Sequence, residues 1–273
     1  MWASFRAELV KLTRRPAAWL LAVVTVVLAA TFTYGFPYAG IAGGTDGPYS
    51  DRTLPMLLPD RLVGNSLSGL PVFFGALVLI LGVLTAGGEY GWGTWKTVFT
   101  QGLSRREVYV GKLLALAVAV LAILLAVFAS GAACSMLIAL VETQPVRWPS
   151  VGDLAVGIAA GWLIATMWAM LGAVLAIALR AVALPVGLGL VWMLAVQNLL
   201  SGLVAPVLDW VATVQQGLPG PNAGSLVAAL GAPTDVPGVA ATVGGGQAAV
   251  VVAAYLVAFV LIGGALLTRR DVG

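Results

Sequence analysis

Residues Ser68–Gly88, SGLPVFFGALVLILGVLTAGG, run into Glu89–Lys112, EYGWGTWKTVFTQGLSRREVYVGK, and the chain turns apolar again through Leu113–Val141. Neither flank contains Asp, Glu, Lys or Arg, whereas the segment between them carries Glu89, Lys96, Arg105, Arg106, Glu107 and Lys112. Uncharged runs of this length satisfy their backbone in lipid only as helices, and about 20 residues at about 1.5 Å each cross a hydrocarbon core of about 30 Å. The charged segment belongs in water. Across 273 residues the chain is 60% hydrophobic and 9% charged, against roughly 25% charged in soluble domains. The pattern predicts an all-α polytopic membrane protein.

Upstream, residues 1–15 place Trp2, Phe5, Leu9 and Leu12 on one helical face, with Arg6, Lys11, Arg14 and Arg15 around the remainder. That is the pattern of an interfacial amphipathic helix with its aromatic face turned to lipid. Six spans are expected, at about 16–36, 67–88, 113–141, 154–179, 182–204 and 247–268. Pro16 sits in the first turn of the first span, where its missing N–H has no partner to lose. The apolar run there is also too long for a signal-peptide core. Residues 37–65 and 142–153 are polar connectors, the second with Trp148 between Pro145 and Pro149. Arg180 alone separates the fourth and fifth spans, which makes them antiparallel neighbours. Residues 206–246 mix Pro, Gly, Asn and Asp with short apolar pieces and read as a long external loop. Short half-helices re-entering the membrane fit this composition, and so does an unstructured loop.

Charge sets the orientation. With a cytoplasmic N-terminus and six spans, eleven of the fourteen basic residues lie inside, and only Arg52, Arg61 and Arg147 lie outside. The opposite orientation would invert this bias, so both termini and residues 89–112 are expected in the cytoplasm. Eleven Arg against three Lys, with abundant Ala, Val and Gly, suits a GC-rich bacterial genome and hence a bacterial cell membrane. The net charge of +3 is informative only once split by side of the membrane, and no nucleic-acid partner is expected.

The chain lacks His and has one Cys, Cys134, inside an apolar run, which removes His-based acid–base work and the usual Zn and haem ligand sets. No catalytic residue and no metal site is expected. The spans carry no ionisable group at depth of the kind a proton- or sodium-coupled carrier uses. Gln197 and Asn198 are the most polar neighbours at membrane depth and serve either helix–helix hydrogen bonding or a substrate path. Gly111–Lys112 is followed by Leu113 rather than Ser or Thr, so no phosphate-binding loop exists and no nucleotide is expected to bind this chain.

Glu89, Gly93–Thr94, Leu103–Ser104–Arg105 and Gly111–Lys112, in that order, resemble the first cytoplasmic connector of type-2 ABC transporter permeases. The amphipathic start, six spans and long last external loop agree with that family over essentially the whole chain. Gly102 stands where many members have proline before the Ser-Arg turn. The resemblance implies a dimeric membrane unit, homo- or heterodimeric, driven by a separate ATP-binding subunit that holds ATP and Mg, and exporting its substrate. It also implies that residues 89–112 form the coupling segment, with a short coupling helix over residues 95–100 and Glu89, Trp92, Gly93, Thr94, Trp95, Arg105 and Lys112 as its contact residues. Trp92 and Trp95 are aromatic anchors of the kind that dominate interface energetics. Arg105, Arg106 and Lys112 alternatively hold anionic membrane lipids. The uncharged interior favours an amphipathic or hydrophobic cargo. A non-transporting scaffold that docks a cytoplasmic partner through the same connector is the second reading; an intramembrane enzyme is disfavoured by spans without His, Asp or Glu.

Overall fold

The computed structural model describes residues 2–44, 52–91, 104–200, 204 and 207–269. Among these residues all regular secondary structure is helical. Helix α1 (Trp2–Arg14) leads into α2 (Pro16–Gly43), which widens into a π-helical turn at Thr31–Gly35. Two 3-10 turns, Leu54–Leu57 and Pro59–Arg61, precede the short α3 (Leu62–Leu67). Then come α4 (Phe73–Gly91), α5 (Arg105–Val141), α6 (Val151–Leu179) and α7 (Ala183–Leu199), the last with a π-helical turn at Val191–Val196. Helices α8 (Asp209–Gln215) and α9 (Pro219–Ala229) precede α10 (Gly245–Arg269).

Among the described residues five helices are long and apolar enough to cross a membrane: α2, α4, α5, α6 and α10. The fifth expected span, α7, is apolar but shorter, 17 residues or roughly 25 Å. The second expected span differs from its predicted bounds of about 67–88. Its helix starts at Phe73, after a turn in which Leu70 N–H reaches Leu67 O (3.0 Å) and Phe74 N–H reaches Gly69 O (2.8 Å). Pro71 is the cause, because it brings no donor to the ladder and its ring excludes a continuous helix. The third span is longer than expected, running without a break from Arg105.

Helices α4 and α6 form the centre. Gly82 brings the α4 backbone against Ala169 O, and Gly172 brings α6 against Leu79 O, each at a place where a Cβ would collide with backbone. Around this crossing Trp168, Leu79, Met167 and Ile164 are fully buried. Helix α10 lies along α6, and Tyr109 of α5 donates its hydroxyl to Val260 O of α10 at 2.7 Å. Helix α2 stands at the edge with Trp19, Leu20, Val23 and Val27 exposed, an apolar exterior suited to lipid.

One end of the bundle gathers α1, the C-terminal turns of α4 and α10, and the first turns of α5. The far end is capped by α3 and α9. The described part of residues 206–246 carries two short helices, and α9 packs onto the bundle. Pro221 through Val227 of α9 are buried, and Gly224 lies against Gly238 O. Ser225 Oγ accepts from Thr242 N–H (3.1 Å) and donates to the carbonyl of Pro221 or Ala240 (2.8 and 2.9 Å). Gly64 of α3 abuts Gly231, and buried Arg52 reaches Asp235 at 2.9 Å, so the connector before α3 is tied to the one after α9.

Candidate functional site

The site starts from a turn. Ser104 caps α5: its hydroxyl accepts from Glu107 N–H (3.2 Å), while the Glu107 carboxylate accepts from Ser104 N–H (3.2 Å). This reciprocal capping box satisfies two donors that the first helical turn would leave bare. It also sets where α5 begins, and therefore where Gly111 and Lys112 point. Gly111 has no side chain at the place where Ser4 and the Phe5 backbone of α1 press against α5; a Cβ there would stand 2.9 Å from Phe5 N. The Gly-Lys pair thus has a physical meaning. Glycine admits α1, and the lysine beside it meets what α1 carries.

Lys112 is 3% exposed, and its ammonium donates to Glu8 Oε2 (2.8 Å), Glu89 Oε1 (3.0 Å) and Thr85 O (3.1 Å). Three acceptors thus match the three N–H donors of an ammonium. Lys11 adds a second cation, 2.7 Å from Glu8 Oε1 and 3.0 Å from Glu89 Oε1. Two carboxylates and two ammonium groups from α1, α4 and α5 therefore close one network. Glu89 is 3% exposed, and its Oε2 finds no donor among the described residues. For Glu8, burial pushes the carboxyl up, but the Lys112 charge and hydrogen bonds from Lys11 and Lys112 outweigh it and hold it below its ordinary value. Lys11 is raised: burial lowers it, and the hydrogen bonds and charges of Glu8 and Glu89 more than reverse this.

Arginines trim the same end. Arg15 Nη1 donates to Leu84 O at 3.0 Å, lying over Gly88. Arg105 Nη1 reaches Leu267 O at 3.5 Å, near the C-terminal end of α10, where a cation meets the negative pole of the helix.

Glu89, Arg105 and Lys112 thus share one end of the bundle, and Glu89 and Lys112 are in contact. Trp92, Gly93, Thr94 and Trp95, together with the expected coupling helix over residues 95–100, lie outside the described residues. Gln197 and Asn198 are at the far end, roughly one membrane thickness away along α4 and α7. Gln197 Oε1 accepts from Gly220 N–H at 2.6 Å, and Asn198 Nδ2 donates to Leu194 O at 2.9 Å.

Reading by apolar spacing missed Glu8. The buried face of α1 is Ser4, Glu8 and Leu12, with Phe5 and Leu9 beside it, whereas Trp2 is 71% exposed. The face that packs on the bundle carries Glu8, which meets Lys112, and leaves Trp2 on the exposed side. A signal was present: Glu8 is the only acid in the first 45 residues and stands three before Lys11. The Ser104–Glu107 spacing was likewise a legible cap.

The sequence profile of the ABC-2 family transporter proteins matches residues 4–196, more than half of the chain and the whole of this network. No curated protein matches the chain. A match of this extent, on a chain with several helices apolar enough to cross a membrane, places it: the chain belongs to the ABC-2 transporter family as the membrane permease subunit of an ABC transporter.

Proposed function

We propose that this chain is the membrane half of an exporter whose ATP and Mg are held by a separate subunit, and that residues 89–112 receive that subunit's stroke. The observation that carries this is the network Glu8–Lys11–Glu89–Lys112, which ties the end of α4, the start of α5 and α1 together on both flanks of residues 92–103. A displacement of the connector then moves three helices as one body instead of being absorbed by bending at a single joint. Glu89 and Lys112 act here as positioning residues beneath the contact surface, and Trp92, Gly93, Thr94 and Trp95 are the proposed contacts. Arg105 anchors the connector to α10. The basic bias supports a cytoplasmic position for this end and both termini, and the Arg-, Ala-, Val- and Gly-rich composition supports a bacterial cell membrane.

A homodimer or heterodimer of permeases forms the conduit, with the exposed apolar row Leu184, Leu188 and Val191 of α7 available for it. Spans free of mid-depth charge favour an amphipathic or hydrophobic cargo over an ion. Membrane lipids with anionic headgroups complete the surroundings of exposed Arg6 and Arg14.

The test is co-reconstitution of the full chain with its ATP-binding subunit in proteoliposomes, comparing wild type with Glu89→Gln. Complex formation is expected to persist while permease-stimulated ATP hydrolysis falls about tenfold or more, at least about 1.4 kcal/mol of coupling. Full stimulation in the variant would remove Glu89 from the coupling path. Binding of the ATPase with no stimulation even in the wild type would return the scaffold reading.

A further inference from the structure

At the end of the bundle opposite the ion network lies a cavity of about 210 Å³ between the turn before α4, the last turns of α7 and the segment around α9. Val72 and Met193 form its apolar floor, and Gln197, Asn198 and Thr242 supply its polar side chains. Among the described residues no charged side chain lines it. Eight of its eleven lining residues follow residue 196, where the family match ends. The ion network thus lies in the part shared with the family, whereas most of the cavity wall, apart from Pro71, Val72 and Met193, lies outside it.

The cavity has fixed walls. Pro185, Gly189, Met193 and Gln197 form the buried row of α7 at a strict spacing of four. In an α-helix such a row drifts about 40° per step; the wider π-helical turn at Val191–Val196 opposes that drift and keeps Gln197 facing inward. Gln197 is 3% exposed and held by Gly220 N–H. A side chain at Gly220 would collide with Gln197 Oε1, and Gly238, at φ +84°, sits against Val72, so both walls require glycine.

The geometry points to a binding subsite for the uncharged, amide-bearing end of an amphipathic molecule. The volume is below the roughly 300–1,000 Å³ that encloses a drug-sized ligand, so the cavity takes one end of a larger one. Amide and hydroxyl side chains match a neutral group that both donates and accepts. A charged group entering here would give up hydration with no countercharge to replace it. Calling the occupant a substrate rests on the permease reading; its binding does not, so the test below needs no ATPase and can fail or succeed independently of transport.

In the full chain carrying Cys134→Ser, Ala240→Cys places an exposed thiol at the rim, and Val146→Cys in a separate preparation places a reference thiol in the α5–α6 connector. Labelling by N-ethylmaleimide is timed with N-acetyl-leucinamide as the neutral probe and leucinamide as its cationic counterpart. The expected result is that N-acetyl-leucinamide slows labelling at the Ala240→Cys thiol about tenfold once it exceeds its Kd by that factor. The Val146→Cys thiol should be unaffected and leucinamide should give no protection. Gln197→Leu should abolish protection; Asn198→Leu, whose amide bonds only inside its own helix turn, serves if Gln197→Leu unseats α9, and should weaken it. No protection, equal protection by the cation, or protection unchanged in both variants would overturn the proposal.

Discussion

Lys112 Nζ stands 2.8 Å from Glu8 Oε2, a residue 104 positions earlier in the chain, and both side chains are about nineteen-twentieths buried. That contact makes α1 part of the bundle's packed end. A helix held only by headgroups would slide along the bilayer; this one is fixed to α5 by a buried ion pair and by the Ser4–Gly111 approach. The energetic weight of such a pair lies in the cost of breaking it, since desolvation offsets much of its formation.

Lys112→Met should therefore be severe. It leaves Glu8 and Glu89 buried together with only the half-exposed Lys11 between them, and a loss of about 3–5 kcal/mol is expected. The triple variant Glu8→Gln/Lys112→Met/Glu89→Gln removes the charges together and should recover most of that loss, because network members are not additive. Thermal unfolding of the full chain in detergent, with hydrogen exchange followed in α1, decides between them. Equal midpoints for wild type and Lys112→Met would show that the pair carries no weight.

The pH response of this end follows from two opposite shifts. Glu8 is depressed below 4.5, so its stabilisation is complete above that value and is lost as pH falls through the lower folded pKa. Lys11 is raised above 10.5, so its contribution is complete below that value and is lost as pH rises through the higher folded pKa. The unfolding midpoint attributable to α1 should stay flat between about pH 5 and pH 10. A fall in the difference between wild type and Glu8→Gln starting near neutrality would contradict the pairing.

Gly82→Ala and Gly172→Ala place a methyl against the Ala169 and Leu79 carbonyls, with backbone on both sides and nothing that can rotate away. Each should cost about 1–3 kcal/mol or more by overpacking and yield a polydisperse protein in size-exclusion chromatography. Gly40→Ala in α2 meets nothing within 4 Å and should be neutral or stabilising by up to about 1 kcal/mol. Monodisperse Gly82→Ala with an unchanged midpoint would refute the close approach of α4 and α6.

Ser104→Ala removes the cap that starts α5 and should cost about 1 kcal/mol locally. Ser104→Asp keeps an acceptor and should behave as wild type. Faster amide exchange at residues 106–108 in the alanine variant alone is the expected signature. If both variants exchange alike, the capping box does not determine where α5 begins.

Much of this was readable residue by residue. The membrane class, the number of apolar segments and the charged interruption at Glu89–Lys112 follow from composition and run length, because lipid allows an uncharged run only one regular structure. Pro71 marked the break before α4 but was read inside a span, since a proline in the first turns of a helix and a proline that ends one look alike without the neighbouring hydrogen bonds. Gln197 was flagged by polarity, yet its tie to Gly220 was not, because glycine carries no side chain to signal a partner.

By itself, then, the sequence determined which segments are apolar, where charge interrupts them, and that a glycine and a lysine stand together at 111 and 112. Only the tertiary structure decided that Lys112 faces Glu8 and Glu89, that α9 packs into the far end of the bundle, and that Gln197 faces a cavity. Periodicity along one helix reports which faces are apolar. Which faces meet depends on how closely two backbones approach, and here that is set at Gly111, Gly82 and Gly172 by contacts across many residues of chain.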